Sequence, residues 1–181
     1  MKVKDELFNK NPLLILSYLS KNNRMLYGRK IAEDIGINQG STSIILKKFK
    51  EMGLLESENA GKTILYRVNK ENPIIKHFRI FENLIEINDL VKSIKPYSRE
   101  IILFGSCARG EDNQNSDIDF FVVADDDNYE AIREKIETYE IDREIKPIIV
   151  NSLELMEMEE NDKVFLEEVN KGIKLWEGLE E

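Results

Sequence analysis

The stretch at residues 103–119, LFGSCARGEDNQNSDID, constrains the fold more than any other part of the chain. It sets a Gly-Ser at the end of one apolar run and two aspartates, Asp117 and Asp119, at the start of another. Residues 100–104 (EIILF) and 117–123 (DIDFFVV) are β-branched and apolar enough to read as buried strands, so the motif spans strand, turn and strand. Along an extended chain residues i and i+2 point to one face, which presents the two carboxylates side by side, about 7 Å apart at the backbone. Such a pair suits Mg²⁺, which keeps several waters and is held by one or two carboxylates plus substrate phosphates. Two ions there could activate an attacking hydroxyl and stabilise a leaving pyrophosphate. Gly105 can adopt backbone angles closed to other residues, and Ser106 offers a hydroxyl and an N–H to phosphate oxygens where the strand gives way to a short helix. Arg109 is a permanently charged donor close by, and Gly110 lets the chain turn toward the loop that ends at Ser116.

From Gly105 to Asp119 the chain resembles the nucleotidyltransferases of the DNA polymerase β superfamily, whose signature is Gly-Ser, ten residues, then Asp-x-Asp; ten residues separate Ser106 from Asp117. The form GSxARG with SDID is most similar to the minimal nucleotidyltransferases of prokaryotes, small proteins often paired with HEPN-type toxins. The resemblance implies Asp117 and Asp119 as catalytic residues and Mg²⁺ ligands, for one ion or two. It implies Gly105, Ser106, Arg109 and Ser116 as nucleotide-binding residues, and ATP or another nucleoside triphosphate as substrate. A nucleoside monophosphate would pass to a hydroxyl, and in the paired toxin systems that hydroxyl is a protein tyrosine. The family uses a third carboxylate on a later strand. After a helix expected over 128–139, the run 143–150 (REIKPIIV) is the candidate strand, with Glu144, Lys146, Ile148 and Val150 on one face. Lys146 stands where the third aspartate is expected. Glu144, one pleat earlier, is the substitute as metal ligand or general base, or else a solvated charge at a strand end. Pro147 cannot donate a ladder hydrogen bond, which places this strand at an edge or a bulge. No GxxxxGK[ST] pattern occurs, so a kinase-like or GTPase-like reading has no support.

Charge divides the chain. Residues 1–70 hold 13 Lys and Arg against 7 Asp and Glu, while residues 71–181 hold 13 against 28, within a net charge of −9. A basic half joined to an acidic half points to separate partners. In the basic half Asn11-Pro12 starts a helix with Ile15, Leu16 and Leu19 as its buried stripe. A second helix is expected over 27–35, ending at Gly36. A third is expected over 39–52, ending at Gly53, with Ile45, Phe49 and Met52 on one face. Two β-like runs at 54–57 and 63–68 follow, joined by a turn at Asn59-Ala60-Gly61. The pattern over residues 8–69 resembles the winged helix domains of prokaryotic transcription regulators. In such a domain the third helix enters the major groove, which makes Asn38, Gln39, Ser41 and Thr42 candidates for base edges. Lys47, Lys48 and Lys50, with Lys62 and Arg67 on the wing, are candidates for phosphates. A protein-contact surface is the alternative use of the same face.

Asn72-Pro73 starts a further helix, whose wide apolar stripe (Ile74, Phe78, Phe81, Leu84, Ile85, Ile87, Val91, Ile94) is expected to pack on a domain and to leave a homodimer seam. Residues 153–172 read as acidic helices and 173–176 as a terminal strand or cap. With one cysteine, Cys107, no intrachain disulfide is possible, and neither a leader nor an apolar run of membrane-spanning length is seen, so a cytoplasmic protein is expected.

The expected fold class is therefore α+β: a winged helix-turn-helix at 1–70, a linker helix at 71–98 and a polymerase β-like nucleotidyltransferase domain with a small mixed sheet at 99–181. The expected function is a DNA-binding protein carrying a Mg²⁺-dependent nucleotidyltransferase, of the kind that serves as an antitoxin-like regulator. The alternative is a transcription regulator whose nucleotidyltransferase fold binds nucleotide without turnover.

Overall fold

The computed structural model describes residues 11–22 and 24–178. Contacts divide it into two compact units, Met1–Ile85 and Glu86–Glu181.

In the first unit the order is α1 (Asn11–Lys21), β1 (Leu26–Tyr27), α2 (Gly28–Ile35), α3 (Gln39–Glu51), β2 (Leu55–Ala60) and β3 (Thr63–Val68). It continues into α4 (Pro73–Ile94), the helix that runs on into the second unit. The strands form an antiparallel sheet in the order β1-β3-β2. Helix, strand, helix, helix and hairpin in that arrangement make a winged helix-turn-helix. Sequence reading found the three helices and the hairpin but not β1, which is two residues long and too short to carry a period. Each helix of the turn ends where its local chemistry requires. Gly36, at φ 68°, closes α2 through its N–H and the carbonyls of Ala32 and Glu33. The Asn38 side chain then caps α3 by accepting from the Gly40 and Ser41 N–H groups. The core is built on Ile15, Leu16, Leu19, Ile31, Leu46, Tyr66 and Val68, with Ile45 and Phe49 packed at its border. Met52 does not join them. The helix ends at Glu51, Met52 falls in the C-cap, and 63% of it is exposed. Beneath the apolar layer, Glu82 of α4 accepts hydrogen bonds from the Ser17 and Ser20 hydroxyls, and Arg79 donates to the Ser20 carbonyl.

The second unit follows as β4 (Glu100–Phe104), α5 (Gly105–Arg109), β5 (Ile118–Val123), α6 (Tyr129–Glu137), β6 (Ile145–Val150), α7 (Ser152–Asn161), α8 (Lys163–Asn170) and β7 (Ile173–Glu177). Its sheet has the order β6-β5-β4-β7 and is mixed: β4 is antiparallel to both neighbours, and β5 and β6 are parallel. The parallel pair is reached through α6, as a crossover demands. Pro147 lies on β6, an edge strand, where its missing N–H costs no ladder bond. On one face Ile102, Phe104, Phe121, Val123 and Val150 pack with Phe165, Leu166 and Val169 of α8. Ile101, Leu103, Phe120 and Val122 alternate with these and so point to the other face, and all four are fully buried. Asn151 opens α7 with a reciprocal N-cap, its side chain accepting from the Leu153 and Glu154 N–H groups while the Glu154 carboxylate accepts from the Asn151 N–H. Trp176 is half-buried on β7: its indole N–H donates to the Ser98 carbonyl and Lys95 lies 3.5 Å over its ring. Among the described residues no helix is long and apolar enough to cross a membrane.

Candidate active site and nucleic-acid interface

The site forms where β4 ends. Gly105 takes φ 69° there, and a Cβ on it would collide with Oδ2 of Asp119, so the turn and the carboxylate fix one another. Asp119 lies opposite Phe104 on one side and opposite Lys146 on the other. Asp117 stands one residue before β5, and its Oδ2 is 2.6 Å from Lys146 Nζ. The sheet therefore ends in two aspartates and a lysine. Burial, and then the Asp117 charge, push the Asp119 carboxyl above its ordinary value, against the pull of Lys146 and Arg109. The hydrogen bond to Asp117 holds the Lys146 ammonium above its own. Two carboxylates that repel one another are a hard-oxygen donor set of the kind magnesium takes, with phosphate oxygens to complete its shell. They fit one such ion.

The other expected residues divide. Ser106 lies in the first turn of α5, and its carbonyl accepts from the Gly110 and Glu111 N–H groups. Gly110, at φ 66°, turns the chain out of the helix. Arg109 is exposed on the same short helix, where it pairs with Glu111 at 3.0 Å and with Glu168 of α8. Ser116 is committed to its own loop, its hydroxyl accepting from the Asn113 N–H and its N–H donating to the Asn113 carbonyl. Glu144 is exposed just before β6, and its carbonyl accepts from the Ile118 N–H, which locks the parallel pair. Among the described residues no three acid, His or Cys side chains converge as a metal cluster. Glu144 is thus not drawn into one with Asp117 and Asp119.

Behind the motif lies a set of charges that sequence reading missed. The Arg143 side chain is 5% exposed and bonds Glu86 and Asp112, each at 2.9 Å. It also reaches Cys107 Sγ at 3.5 Å, and that thiol donates to the Asp117 carbonyl at 3.2 Å. Burial, and then the Asp112 charge, push the Cys107 thiol up to about 12. It is a neutral donor that anchors the main chain of Asp117, and not a nucleophile. Four residues from four places in the sequence meet here, and no local spacing announces them.

In the first unit Gln39, Ser41, Lys47, Lys48 and Lys50 of α3 are exposed, as are Lys62 and Arg67 on the wing. Asn38 is exposed too, though its side-chain oxygen is spent on the cap. Thr42 leaves the candidate set. It is fully buried, and its hydroxyl donates to the Asn38 carbonyl one turn back, a bond that satisfies it inside the helix. Arg67 pairs with Glu56 across the hairpin at 2.7 Å. Ser43 and Ile44 were overlooked: both are exposed on α3, Ile44 to 61%. Gln39 and Ser43 line a concavity of about 610 Å³ together with Arg29, Lys30, Thr63 and Tyr66.

A model of the nucleotidyltransferase domain family matches residues 84–174, half of the chain. The chain belongs to that family. Over 65 residues the nucleotidyltransferase chain is 37% identical to a proposed protein adenylyltransferase of Methanocaldococcus jannaschii, a match that covers 33% of this chain. It spans 65% of that relative's length. Among solved structures it is similar to a protein of Archaeoglobus fulgidus, at 25% identity and a TM-score of 0.40, over 48% of this chain and 96% of that one. It is likewise similar to a homodimeric winged helix-turn-helix DNA-binding domain of Mycobacterium bovis, a proposed ArsR-family regulator. That likeness has 25% identity and a TM-score of 0.38, over 48% of this chain and 78% of the other. The winged-helix assignment itself rests on the strand order and helix sequence of the first unit.

Proposed function

We propose that the chain is a DNA-binding protein whose nucleotidyltransferase domain moves a nucleoside monophosphate, AMP in the first instance, from a triphosphate to a hydroxyl and releases pyrophosphate. The observation that carries this is the seating of Asp119 over Gly105, next to Asp117, on a turn where a Cβ would meet the Asp119 carboxylate. Asp117 and Asp119 would hold Mg²⁺, which when bound neutralises triphosphate charge and makes the α-phosphorus a better electrophile. Gly105 leaves room for the Asp119 carboxylate at the turn, and the Ser106 hydroxyl and N–H would be the donors offered to the phosphate chain. Arg109 would exchange Glu111 and Glu168 for phosphate oxygens, a planar donor set matched to them. Ser116 acts by shaping the loop that delivers Asp117. The relative's description as an adenylyltransferase acting on protein supports a protein hydroxyl as acceptor, and a HEPN-type toxin is the partner that the antitoxin reading supplies.

On α3, Gln39 and Ser41 are proposed to meet base edges and Lys47, Lys48, Lys50 and Lys62 to meet phosphates, with Ile44 placed to touch a thymine methyl. A homodimer would match a two-fold operator, and sedimentation of the full chain tests it. A second reading has its own observation. The Lys146–Asp117 ion pair leaves one metal ligand already neutralised, which favours a regulator that binds nucleotide without turnover. Incubation with α-labelled ATP, Mg²⁺ and candidate acceptors separates the two. Label transferred by the native chain and lost in Asp117→Asn supports the enzyme. ATP bound without transfer to any acceptor overturns it in favour of the regulator.

A further inference from the structure

Lys146 is the one group at the carboxylate pair that the transfer chemistry above leaves without work. It sits opposite Asp119 in the β5–β6 register and holds Asp117 Oδ2 at 2.6 Å. Its ammonium carries three N–H donors, of which Asp117 takes one. Half of the side chain is exposed, so the remaining donors are open to a ligand arriving at the pair. The same contact limits the metal. The two carboxylates offer four oxygens, and one of them is occupied by Nζ. Among the described residues no third acid joins them. A second dication would also stand against a fixed positive charge.

Resting on the nucleotide-site reading, we infer that Lys146 replaces one divalent ion: the site takes a single Mg²⁺ on Asp117 and Asp119, and the Lys146 ammonium positions the triphosphate in place of a second. A point charge on a flexible stem binds phosphate well without dictating geometry, which suits a group that must stay on Asp117 while reaching a ligand. Lys146 is thus a positioning and binding residue that makes nucleotide capture depend on one metal ion.

The test counts bound Mn²⁺ by electron paramagnetic resonance on the full chain saturated with α,β-methylene ATP, whose α–β bridge cannot be cleaved. One ion per bound nucleotide is expected for the native chain, and two for Lys146→Asp, which supplies the missing acid. Lys146→Met should keep one ion and weaken the triphosphate roughly tenfold or more, the loss of a charge-assisted hydrogen bond. Two ions in the native chain, one ion in both the native chain and Lys146→Asp, or native affinity in Lys146→Met would each overturn the inference. Two ions with tight nucleotide would remove the role of Lys146 alone. A native chain that binds no triphosphate would bring down the nucleotide site itself, and this inference with it.

Discussion

On α3 of the winged-helix unit Lys47, Lys48 and Lys50 stand exposed to solvent, whereas the cations nearest the aspartate pair of the nucleotidyltransferase unit, Lys146 and Arg109, are already bound to acids. A polyanion can meet the first set by displacing water and counterions. The second set must exchange partners, so its ligand has to offer a better bargain than Asp117, Glu111 or Glu168 already does. Ionic strength would therefore govern the proposed binding at the first surface, and geometry the proposed binding at the second. Burial makes the same contrast sharper. Arg143 is locked between Glu86 and Asp112, and through Cys107 it supports the Asp-x-Asp loop.

Removing that lock gives the largest effect. Arg143→Met leaves the buried Asp112 and the partly buried Glu86 without the guanidinium, and losing one partner of a buried pair costs about 3–5 kcal/mol. Urea unfolding of the full chain should show the transition of the nucleotidyltransferase unit moving to lower denaturant while that of the winged-helix unit stays in place. If both units shift together, they do not unfold as the separate bodies their contacts describe.

Gly105→Ala comes next. The position needs a positive φ, which costs a residue with a Cβ about 1–2 kcal/mol, and the new methyl would also push Asp119 aside. Nucleotide binding, measured by calorimetry with Mg²⁺ present, should fall below detection while DNA binding is unchanged. Retained nucleotide binding would show that the seat of Asp119 over the turn is dispensable.

How much of this was legible beforehand depends on whether the determining residues are neighbours in sequence. Residues 100–104 and the Gly-Ser turn were found with their boundaries because strand, turn and carboxylate pair all lie within one short segment. Alternation put Lys146 on one face with Glu144, and the resemblance put it at the place of the third carboxylate; the ladder sets it opposite Asp119. Thr42 misled because a polar residue in the first turn of a helix looks like a solvent-facing group, and nothing local tells that its hydroxyl turns back to Asn38. Arg143, Glu86, Asp112 and Cys107 could not be joined at all, since each reads alone as an ordinary residue of its own segment. What makes them a unit is burial, a property of the packed fold.

The surface lysines give a smaller and graded effect. Each of Lys47→Ala, Lys48→Ala and Lys50→Ala that removes one phosphate contact should lower the slope of log affinity against log salt by about 0.9. Affinity should drop alike on all sequences, whereas Gln39→Ala or Ile44→Ala should relax preference at particular bases. Fluorescence anisotropy across a salt series reads both. A slope that none of the lysine variants changes would move this face from DNA to a protein partner, and the contrast between the two units would then rest on the nucleotide site alone.

Cys107 offers the smallest effect, and one that reaches only the second unit. Its thiol is buried and raised to about 12 from an ordinary value of 9.0, so the folded chain keeps this proton where the unfolded chain loses it. Between those values the unfolded state binds fewer protons, and stability must therefore fall as pH rises, by roughly 1 kcal/mol per pH unit once the unfolded thiol has ionised. Below pH 8 the group is neutral in both states and contributes no slope. Thermal melts at pH 7, 8, 9 and 10 should show the native chain and Cys107→Ala running parallel from pH 7 to 8, the native chain beginning to lose stability relative to the variant from pH 8 to 9, and losing it fastest from pH 9 to 10. Iodoacetamide provides the independent check: the native thiol should resist alkylation at pH 8 and react once urea opens the unit. Rapid alkylation of the folded chain would mean that Cys107 is not held behind Asp117, and that the Asp-x-Asp loop stands without the support drawn from Arg143.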